Sequence, residues 1–371
     1  MGRVGIVGAG FTGAVIAREL AEAGIASVVM DERNHVAGNC HTERDPRTGI
    51  MVHRYGPHIF HTDQQHVWDF INRFGEMVPF ILRVKTTHGG RVYPLPVNLH
   101  TINQFFDRAM SPAEAKAFIE GQVRADIENP RSFEEQALRF IGAPLYEAFF
   151  RGYTTKQWGL EPSKLPASIL KRLPLRFDYD DNYFSHPYQA IPRAGYSAIV
   201  SRILDHTGIE LRLGCRFEDV TEEFSHLFYS GGMDRYYGYS LGRLGYRTLD
   251  FRQSYHEGDF QGTAIMNYPE EEVPFTRVTE HKHFAPWEAS RFGETVVFHE
   301  SSRACGPDDI PYYPIRLVEE TSMLEAYEAR TREDRDVTFV GRLGTYQYLD
   351  MDVTIDHALT AARDYLSRQV E

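Results

Sequence analysis

The chain has 371 residues, 42% of them hydrophobic and 25% charged, a composition typical of a globular protein with two or three domains. Its formal net charge of −12 argues against nucleic-acid or anionic-membrane partners, because both require clustered lysine and arginine. Three cysteines without a CxxC pair argue against a disulfide framework and favour a reducing compartment. Without a leader-like segment or an apolar run of about 20 residues, we expect a cytoplasmic protein with no membrane span.

The first elements predict a dinucleotide-binding strand–helix–strand unit. Residues 3–7 are short, apolar and β-branched, as expected of a buried parallel strand, and the next six residues read GAGFTG. In this motif Gly8 makes the tight turn, Gly10 lets the backbone approach a pyrophosphate, and Gly13 lets the helix pack against the strand. Residues 14–23 have a helical composition, and the helix dipole favours an anion at their start.

An acidic residue stands where the ribose of a dinucleotide is expected. Asp31 follows a second apolar strand at residues 26–30 and lies 21 residues after Gly10. A glycine-rich turn without a ligand would not require strand, helix, strand and acid in this order. Spacing alone does not separate NAD from FAD, but the polar, glycine-containing loop at residues 32–39 resembles the FAD-binding fold of amine oxidases and glutathione reductases. We therefore predict FAD.

The middle of the chain predicts a loop, a hairpin and a helical insertion. Residues 54–62 place two histidines around a Gly-Pro turn, which fits a flavin-facing loop or a surface turn; no metal site is expected, because no cysteine or acidic ligand lies at a suitable spacing. Residues 86–99 predict a hairpin with a Gly-Gly turn. Ser111 begins a capping box and a helix to about residue 128, and a second helix is predicted at residues 132–150.

Strands dominate residues 207–320 and predict an antiparallel sheet, with some strands belonging to the dinucleotide-binding core. A late buried strand at residues 336–340 precedes a closing helix at residues 351–370. In FAD-binding folds of this class, a late strand and helix bring the C-terminal part of the chain back to the cofactor. We therefore predict an α/β fold whose Rossmann-like FAD-binding domain is discontinuous and built from both ends of the chain.

Seven further motifs give the chain a specific resemblance. In chain order they are GPHIFHT (56–62), YPLPVNL (93–99), FFRGYTTKQW (149–158), YDDNYF (179–184), TRVTEHKHF (276–284), IPYYPIR (310–316) and GRLGTYQYLDMD (341–352). Together with the glycine motif they span the whole chain, and the chain resembles the UDP-galactopyranose mutase family. Members of that family are flavin-dependent isomerases, which interconvert UDP-galactopyranose and UDP-galactofuranose for cell-surface glycans.

The resemblance implies a domain organisation and a mechanism. The FAD-binding domain would comprise residues 1–78, 190–230 and 325–371, a helical domain with a mobile substrate loop residues 100–165, and an antiparallel β-sheet domain residues 79–99, 166–189 and 231–324. The FAD would act in its reduced form: its N5 attacks the anomeric carbon, UDP leaves, and the ring contracts through a covalent flavin–sugar adduct. The partner would be UDP-galactose, and a homodimer is left open.

The resemblance also implies residue roles, carried over position by position. The implied catalytic residues are Arg172, Arg277, Glu300, Asp350, His58 and His61. The implied substrate-binding residues are Phe149, Tyr153, Thr154, Trp158, Tyr183, Tyr313 and Tyr348. The implied cofactor-binding residues are Gly8, Gly10, Phe11, Thr12, Gly13, Asp31, Glu32, Arg33, Asn39, Arg342, Tyr348, Asp350, Met351 and Asp352. The two catalytic arginines would hold the diphosphate, for which a guanidinium fork is suited.

Ordinary structural roles compete with several of these assignments. Arg172, in the segment KRLP, fits a solvated basic turn, and Phe149 and Tyr153, four residues apart, fit a helix core. Gln347 departs from the family pattern, in which a positively charged residue is expected. A mutase of another nucleotide sugar, N-acetylated or 6-deoxy and carried by UDP or dTDP, therefore stays open. An amine-oxidase-type flavin oxidoreductase and a non-catalytic nucleotide-sugar-binding protein are the remaining alternatives.

Overall fold

A computed structural model describes residues 2–172, 175–315 and 321–369, apart from the side chains of residues 168, 171 and 172. Its strands are β1 (Val4–Val7), β2 (Ser27–Asp31), β3 (Thr42–Arg44), β4 (Met51–His53), β5 (Phe60–Thr62), β6 (Met77–Pro79), β7 (Val84–His88), β8 (Arg91–Leu95), β9 (Tyr188–Pro192), β10 (Ile209–Leu213), β11 (His226–Tyr229), β12 (Tyr246–Glu257), β13 (Ile265–Asn267), β14 (Arg277–Glu280), β15 (Glu294–Ala304), β16 (Tyr313–Pro314) and β17 (Val337–Phe339). Its α-helices are α1 (Phe11–Glu22), α2 (Gln65–Asn72), α3 (Leu99–Phe105), α4 (Pro112–Glu120), α5 (Phe133–Phe140), α6 (Ala143–Tyr146), α7 (Gly152–Trp158), α8 (Tyr196–Leu204), α9 (Met233–Tyr236), α10 (Thr321–Glu333), α11 (Gly341–Gly344) and α12 (Met351–Arg368).

A parallel sheet joins the two ends of the chain. Its strand order is β10-β2-β1-β11-β17, and every pairing in it is parallel. Helices α1 and α12 pack together, and α8 also contacts α1. Their apolar faces meet the sheet in a buried core that includes Ile6, Leu20, Val29, Phe228 and Ile355. The prediction of a Rossmann-like α/β fold is confirmed, and the carboxyl ends of β1 and β2 open onto the glycine-rich turn.

A second sheet has seven strands in the order β16-β12-β15-β14-β13-β7-β8. Its long central pair, β12 and β15, stays in register from Arg247 opposite Ala304 to Glu257 opposite Glu294. The predicted Gly-Gly hairpin is confirmed as β7 and β8. The expectation of a wholly antiparallel sheet is wrong at one pairing, because β7 and β13 run parallel. These two strands are far apart in sequence, so no local turn dictates their direction.

Two small sheets contain His53 and His61 in their strands. Strands β3 and β4 form an antiparallel pair, and His53 is the last residue of β4. Strand β9 lies between β5 and β6 and aligns His61 with Gln189. Residues 53–61 are therefore held at both ends by strand pairing, and the Gly-Pro turn lies between.

The helical region departs from the sequence prediction at two places. The capping box at Ser111 is confirmed, since its side chain and that of Glu114 bond each other's backbone N–H groups. Helix α4 nevertheless ends at residue 120, where Gly121 is the C-cap, rather than near residue 128. The predicted helix over residues 132–150 is interrupted at Gly142, whose φ of 79° is left-handed and cannot continue a helix. The chain then continues through α6 and a π-helical turn into α7.

Candidate functional site

A cavity of about 240 Å³ lies over the glycine-rich turn. Ten of the predicted cofactor-binding residues line it: Gly8, Gly10, Phe11, Thr12, Asp31, Glu32, Arg33, Asn39, Arg342 and Met351. The remaining four predicted residues, Gly13, Tyr348, Asp350 and Asp352, are not among the described residues that line it. Gly13 lies under the turn, where an added methyl group would overlap the carbonyl oxygen of Gly8, so its role is helix–strand packing.

Two features of this cavity fit a pyrophosphate. Helix α1 starts after Gly10 without a side-chain cap, so its first N–H groups and its dipole are available to an anion. Nη1 of Arg33 is buried and has no hydrogen-bond partner within the described residues. The same guanidinium lies 4.9 Å from the ring centre of Tyr55 and donates from Nη2 to Asn39 at 3.0 Å. A bound phosphate would satisfy both the helix and this arginine.

Two acidic residues of the cavity, Asp31 and Glu32, connect the segments that surround it. Asp31 accepts hydrogen bonds from the backbone N–H groups of Ala9, at 2.8 Å, and Arg33, at 2.9 Å, and so joins the glycine-rich turn to the loop after β2. Glu32 forms an ion pair with Arg235, 3.0 Å away. Sequence reasoning did not find Arg235, because it reaches the cavity from a distant segment. The carboxylate of Asp31 thus fixes the loop around the expected ribose position.

A second cavity of about 210 Å³ adjoins the first. Both cavities are lined by Asn39, His58, Arg342 and Met351, so a dinucleotide in the first would present one end to the second. The other predicted residues that line the second cavity are His61, Tyr153, Tyr183, Arg277, Tyr313, Tyr348 and Asp350. The structure therefore gathers residues from every part of the chain into one pocket beside the dinucleotide groove.

Arg277 provides a fixed positive charge in the second cavity. Strand register places Arg277 on β14 opposite Glu300 on β15, and Nε of the guanidinium donates to Oε2 of the carboxylate at 2.7 Å. Burial alone would lower the pKa of Arg277, but the adjacent Glu300 raises it well above the ordinary value. Glu300 is 1% exposed and does not itself line the cavity. Because the ion pair uses Nε, the terminal nitrogens of Arg277 remain available for a ligand.

Tyrosines surround this charge. The rings of Tyr313 and Tyr348 stack with their centres 5.7 Å apart, and the guanidinium of Arg342 lies 4.8 Å from the centre of the Tyr348 ring. Burial raises the pKa of Tyr153, Tyr183 and Tyr313 above the ordinary phenol value. These hydroxyl groups therefore stay protonated at neutral pH and can donate hydrogen bonds to an anion.

His58 is a neutral imidazole where the two cavities meet. Burial lowers its pKa to about 4, with Arg342 and Arg277 adding smaller effects in the same direction. Nδ1 lies 2.8 Å from the carbonyl oxygen of Gly56, which can only accept, so Nδ1 must carry the proton. Nε2 is then the acceptor atom of the ring at neutral pH.

His61 has two neighbours that sequence reasoning missed. Its ring stacks on Phe184 at 3.7 Å, and its Nδ1 is hydrogen-bonded to Nδ1 of His186 at 2.9 Å. The possible ligand atoms of His61, His186 and Asp352 all lie within 4.8 Å of one another. Folding thus brings an acidic group, Asp352, to these histidines from the far end of the chain, a proximity that sequence spacing does not show.

Several predicted residues lie outside the second cavity. Phe149 is buried in an aromatic cluster, with Tyr93 at 5.1 Å and Phe105 at 5.3 Å between ring centres. Thr154 is buried, and Trp158 is half-buried with its ring 6.4 Å from that of Tyr313. Asp352 is buried beside His61 instead of lining either cavity. The side chain of Arg172 is outside the described residues, and its role stays a prediction.

The fold and the two joined cavities define a protein with a Rossmann-like dinucleotide-binding domain and an adjacent cationic pocket. Residues 6–74 match the model of the NAD(P)-binding Rossmann-like domain, and residues 148–348 match that of the UDP-galactopyranose mutase family. The chain belongs to the UDP-galactopyranose mutase family, whose members are isomerases. No helix of the described residues is long and apolar enough to cross a membrane.

Individual relatives agree with this assignment and differ in the sugars they are named for. The chain is 56% identical to a probable UDP-galactopyranose mutase of Klebsiella pneumoniae, over 98% of the chain and 94% of that protein. It is 50% identical to the dTDP-fucopyranose mutase of Escherichia coli over the full length of both. The crystal structure of a reduced UDP-galactopyranose mutase has the same fold, with a TM-score of 0.78 at 16% identity over 100% of this chain and 95% of that one.

Three buried histidines predict that acid destabilises the fold. Burial lowers the pKa of His53 well below its ordinary value of 6.5, that of His58 to about 4 and that of His281 to about 3. The unfolded chain therefore binds these protons first, so stability is fully present above about pH 6.5 and is lost as the pH falls towards the folded pKa values. His58 alone would remove about 3 kcal/mol by pH 4.

Thermal unfolding followed between pH 7.5 and 4.5 should show a steady fall in Tm. His281→Asn, which removes one titrating ring, should reduce this fall, whereas His100→Asn, at an exposed position, should not. A Tm that stays constant from pH 7.5 to 4.5 would contradict the buried neutral state of these rings.

Proposed function

We propose that the protein is an FAD-dependent mutase that interconverts the pyranose and furanose forms of a nucleotide-linked galactose. The observation that carries the proposal is Arg277, held by Glu300 inside a pocket that shares His58 and Arg342 with the dinucleotide groove. A fixed cation surrounded by phenol donors is suited to a diphosphate, and the shared wall would bring the sugar of a bound nucleotide next to the isoalloxazine end of FAD.

FAD is the dinucleotide that the chemistry of a mutase requires. When bound and reduced, it would supply a nucleophilic nitrogen, N5, to the anomeric carbon of the sugar. The residues that would hold it are those that line the first cavity, with the pyrophosphate at the start of α1 and Arg33, and the ribose at Asp31. Arg342 and Met351 line both cavities and would flank the flavin ring.

The reaction needs a leaving group that departs and then returns. The bond between the anomeric carbon and the diphosphate oxygen breaks. The six-membered ring opens, and its oxygen takes up a proton to become the C5 hydroxyl. The C4 hydroxyl then closes a five-membered ring and gives up its proton, and the diphosphate re-forms its bond to the anomeric carbon. Negative charge develops on the diphosphate, and Arg277, Tyr313 and Tyr348 would hold it. Arg172, by its place in the family motif, would complete the arginine pair.

Side chains near the shared wall would handle protons and orientation. His58, neutral and with Nε2 as acceptor, can take the proton from the C4 hydroxyl as the five-membered ring closes. His61 and Asp350 line the same pocket and would contact the sugar. Tyr153 would pack against the base, and Trp158 would close over the nucleotide to exclude water.

A 6-deoxy sugar carried by dTDP is the second candidate substrate. Four apolar side chains line one wall of the second cavity: Ile59, Leu82, Val84 and Ile265. Such a wall accommodates a methyl group at C6 and leaves a C6 hydroxyl without a hydrogen-bond partner. The relative that is 50% identical carries the name of a fucopyranose mutase, which fits this wall. An apolar wall rejects an added hydroxyl only modestly, so galactose stays the first candidate.

A substrate panel tests the proposal. The holoprotein should purify yellow and, after reduction by dithionite, convert UDP-galactofuranose to the pyranose, with little conversion while the flavin is oxidised. The panel should include dTDP-fucofuranose, UDP-N-acetylgalactofuranose and, for the oxidoreductase alternative, amines with peroxide detection. Equal turnover with oxidised and reduced flavin, or peroxide production from amines without any mutase activity, would refute the proposed function.

Leu82 should set the preference for the group at C6. Leu82→Asn places an amide of similar size in the apolar wall, so kcat/KM for the galactose substrate relative to the 6-deoxy substrate should rise about tenfold, the effect of one satisfied hydrogen bond. Leu82→Met, which keeps the wall apolar, is the control and should leave the ratio unchanged. An unchanged ratio in both variants would show that the sugar's C6 lies elsewhere.

A further inference from the structure

Helix α7 carries three of the proposed nucleotide-binding residues, Tyr153, Thr154 and Trp158. It packs directly on the β-sheet domain: a methyl group added to Gly152 would overlap the carbonyl oxygen of Pro269. Pro269 belongs to the loop of residues 268–276, which joins β13 to β14. Helix and loop are therefore in backbone contact, and each adjoins a residue that lines the second cavity: Tyr153 for the helix and Asn267 for the loop.

Lys156 ties this helix to the loop through a set of backbone carbonyls. Its Nζ lies within hydrogen-bond distance of four carbonyl oxygens, those of Tyr268 (2.6 Å), Glu270 (2.8 Å), Val273 (3.0 Å) and Phe275 (3.0 Å). An ammonium group has three N–H donors, which the four acceptors share. Lys156 lines neither cavity and forms no salt bridge within the described residues, so none of its donors is directed at a ligand.

The carbonyls come from both ends of the loop. Tyr268 directly follows Asn267, the last residue of β13, and Phe275 lies two residues before Arg277, the first residue of β14. Asn267 and Arg277 both line the second cavity. One ammonium group thus holds the helix of Tyr153 and the starting point of the Arg277 strand at a fixed separation.

We propose that Lys156 is a positioning residue for nucleotide binding, which sets the distance between Tyr153 on α7 and Arg277 on β14. The inference rests on the proposed function, because it assumes that these two residues hold the base and the diphosphate of one ligand. A nucleoside diphosphate that spans both must lose affinity when their separation is no longer fixed.

A second anchor keeps the helix folded without Lys156. The carbonyl oxygen of Gln157 accepts hydrogen bonds from Oγ of Ser302, at 2.6 Å, and from Nε of Arg247, at 3.1 Å. Both donors belong to the long strands β12 and β15. Removal of the ammonium group therefore leaves the end of α7 attached at Gln157 and leaves Arg277 held by Glu300, but it releases the turn of α7 that carries Tyr153 from the loop of residues 268–276.

The test compares two lysines whose ammonium groups donate to backbone carbonyls, the half-buried Lys156 and the buried Lys282, in the FAD-loaded protein. Lys156→Met keeps the aliphatic stem and removes the ammonium group. Lys282→Met is the control, because Lys282 also donates to a backbone carbonyl, that of Gly258 at 2.8 Å, and pairs with Asp259, but these partners belong to neither α7 nor the loop of residues 268–276. The measurements are the Kd for UDP and for dTDP by calorimetry, KM and kcat with reduced flavin, the flavin spectrum and Tm.

Lys156→Met should raise the Kd for the nucleoside diphosphate and the KM at least tenfold, while Lys282→Met changes both less than twofold. The flavin spectrum should be unchanged in both variants. Lys156→Ala should recover tighter UDP binding when methylammonium is added, which a merely structural loss would not show. If Lys156→Met does not fold, Lys156→Gln replaces it, with a smaller rise in Kd.

Wild-type affinity in Lys156→Met or in Lys156→Gln would overturn the inference. An equal rise in Kd for Lys282→Met would also overturn it, because the effect would then follow from any buried lysine. Failure of the wild-type protein to bind either UDP or dTDP would instead refute the proposed function, so the two failures are distinguishable.

Discussion

The buried ion pair of Arg277 and Glu300 is the constraint on which the second cavity depends. A guanidinium group that leaves water needs partners that compensate its lost hydration, and here the carboxylate of Glu300 is that partner; loss of one partner from a buried ion pair typically costs about 3–5 kcal/mol. Strand register satisfies this requirement directly, because the two residues face each other on β14 and β15. The long pairing of β15 with β12 fixes Glu300, and Glu300 fixes Arg277. The strand register of the sheet therefore sets the position of the cation that the proposed reaction needs.

The dinucleotide groove depends on a different constraint, the carboxyl edge of the parallel sheet. The glycine-rich turn, the loop after β2 and the C-terminal segment before α12 meet at that edge, although they lie at opposite ends of the chain. Arg342 belongs to the last of these segments, Met351 is the first residue of α12, and both also line the second cavity. Closure of the Rossmann-like core by the C-terminal residues is thus what places the two cavities side by side, with neutral His58 between them.

Local chemistry in the sequence predicted local structure well. The glycine motif, the capping box at Ser111 and the Gly-Gly hairpin are each defined within a few residues, and each is present. Two errors are also local, because Gly121 and Gly142 end helices that the surrounding composition favours. The third error depends on a distant segment, because β7 pairs in parallel with a strand far along the chain.

The distinction between local motifs and contacts formed by distant segments also applies to the site. Motif resemblance supplied Arg277, Tyr313, His58 and the cofactor residues, most of which line one of the two cavities. It did not reveal Arg235, His186 or the carbonyls around Lys156, because these contacts exist only after folding. Phe149 shows the reverse case, since the motif implies a substrate contact, whereas the structure packs its ring within an aromatic cluster, as the competing helix-core interpretation expects.

The central claim is that this pocket breaks and re-forms the bond between a sugar and its diphosphate. Positional isotope exchange tests it most directly, with UDP-galactose that carries ¹⁸O in the oxygen bridging the anomeric carbon and the β-phosphorus. With the dithionite-reduced protein, the account predicts that ³¹P spectra show the label moving into the non-bridging positions of the β-phosphate as furanose forms. Furanose that accumulates while the label stays entirely in the bridge would contradict the account.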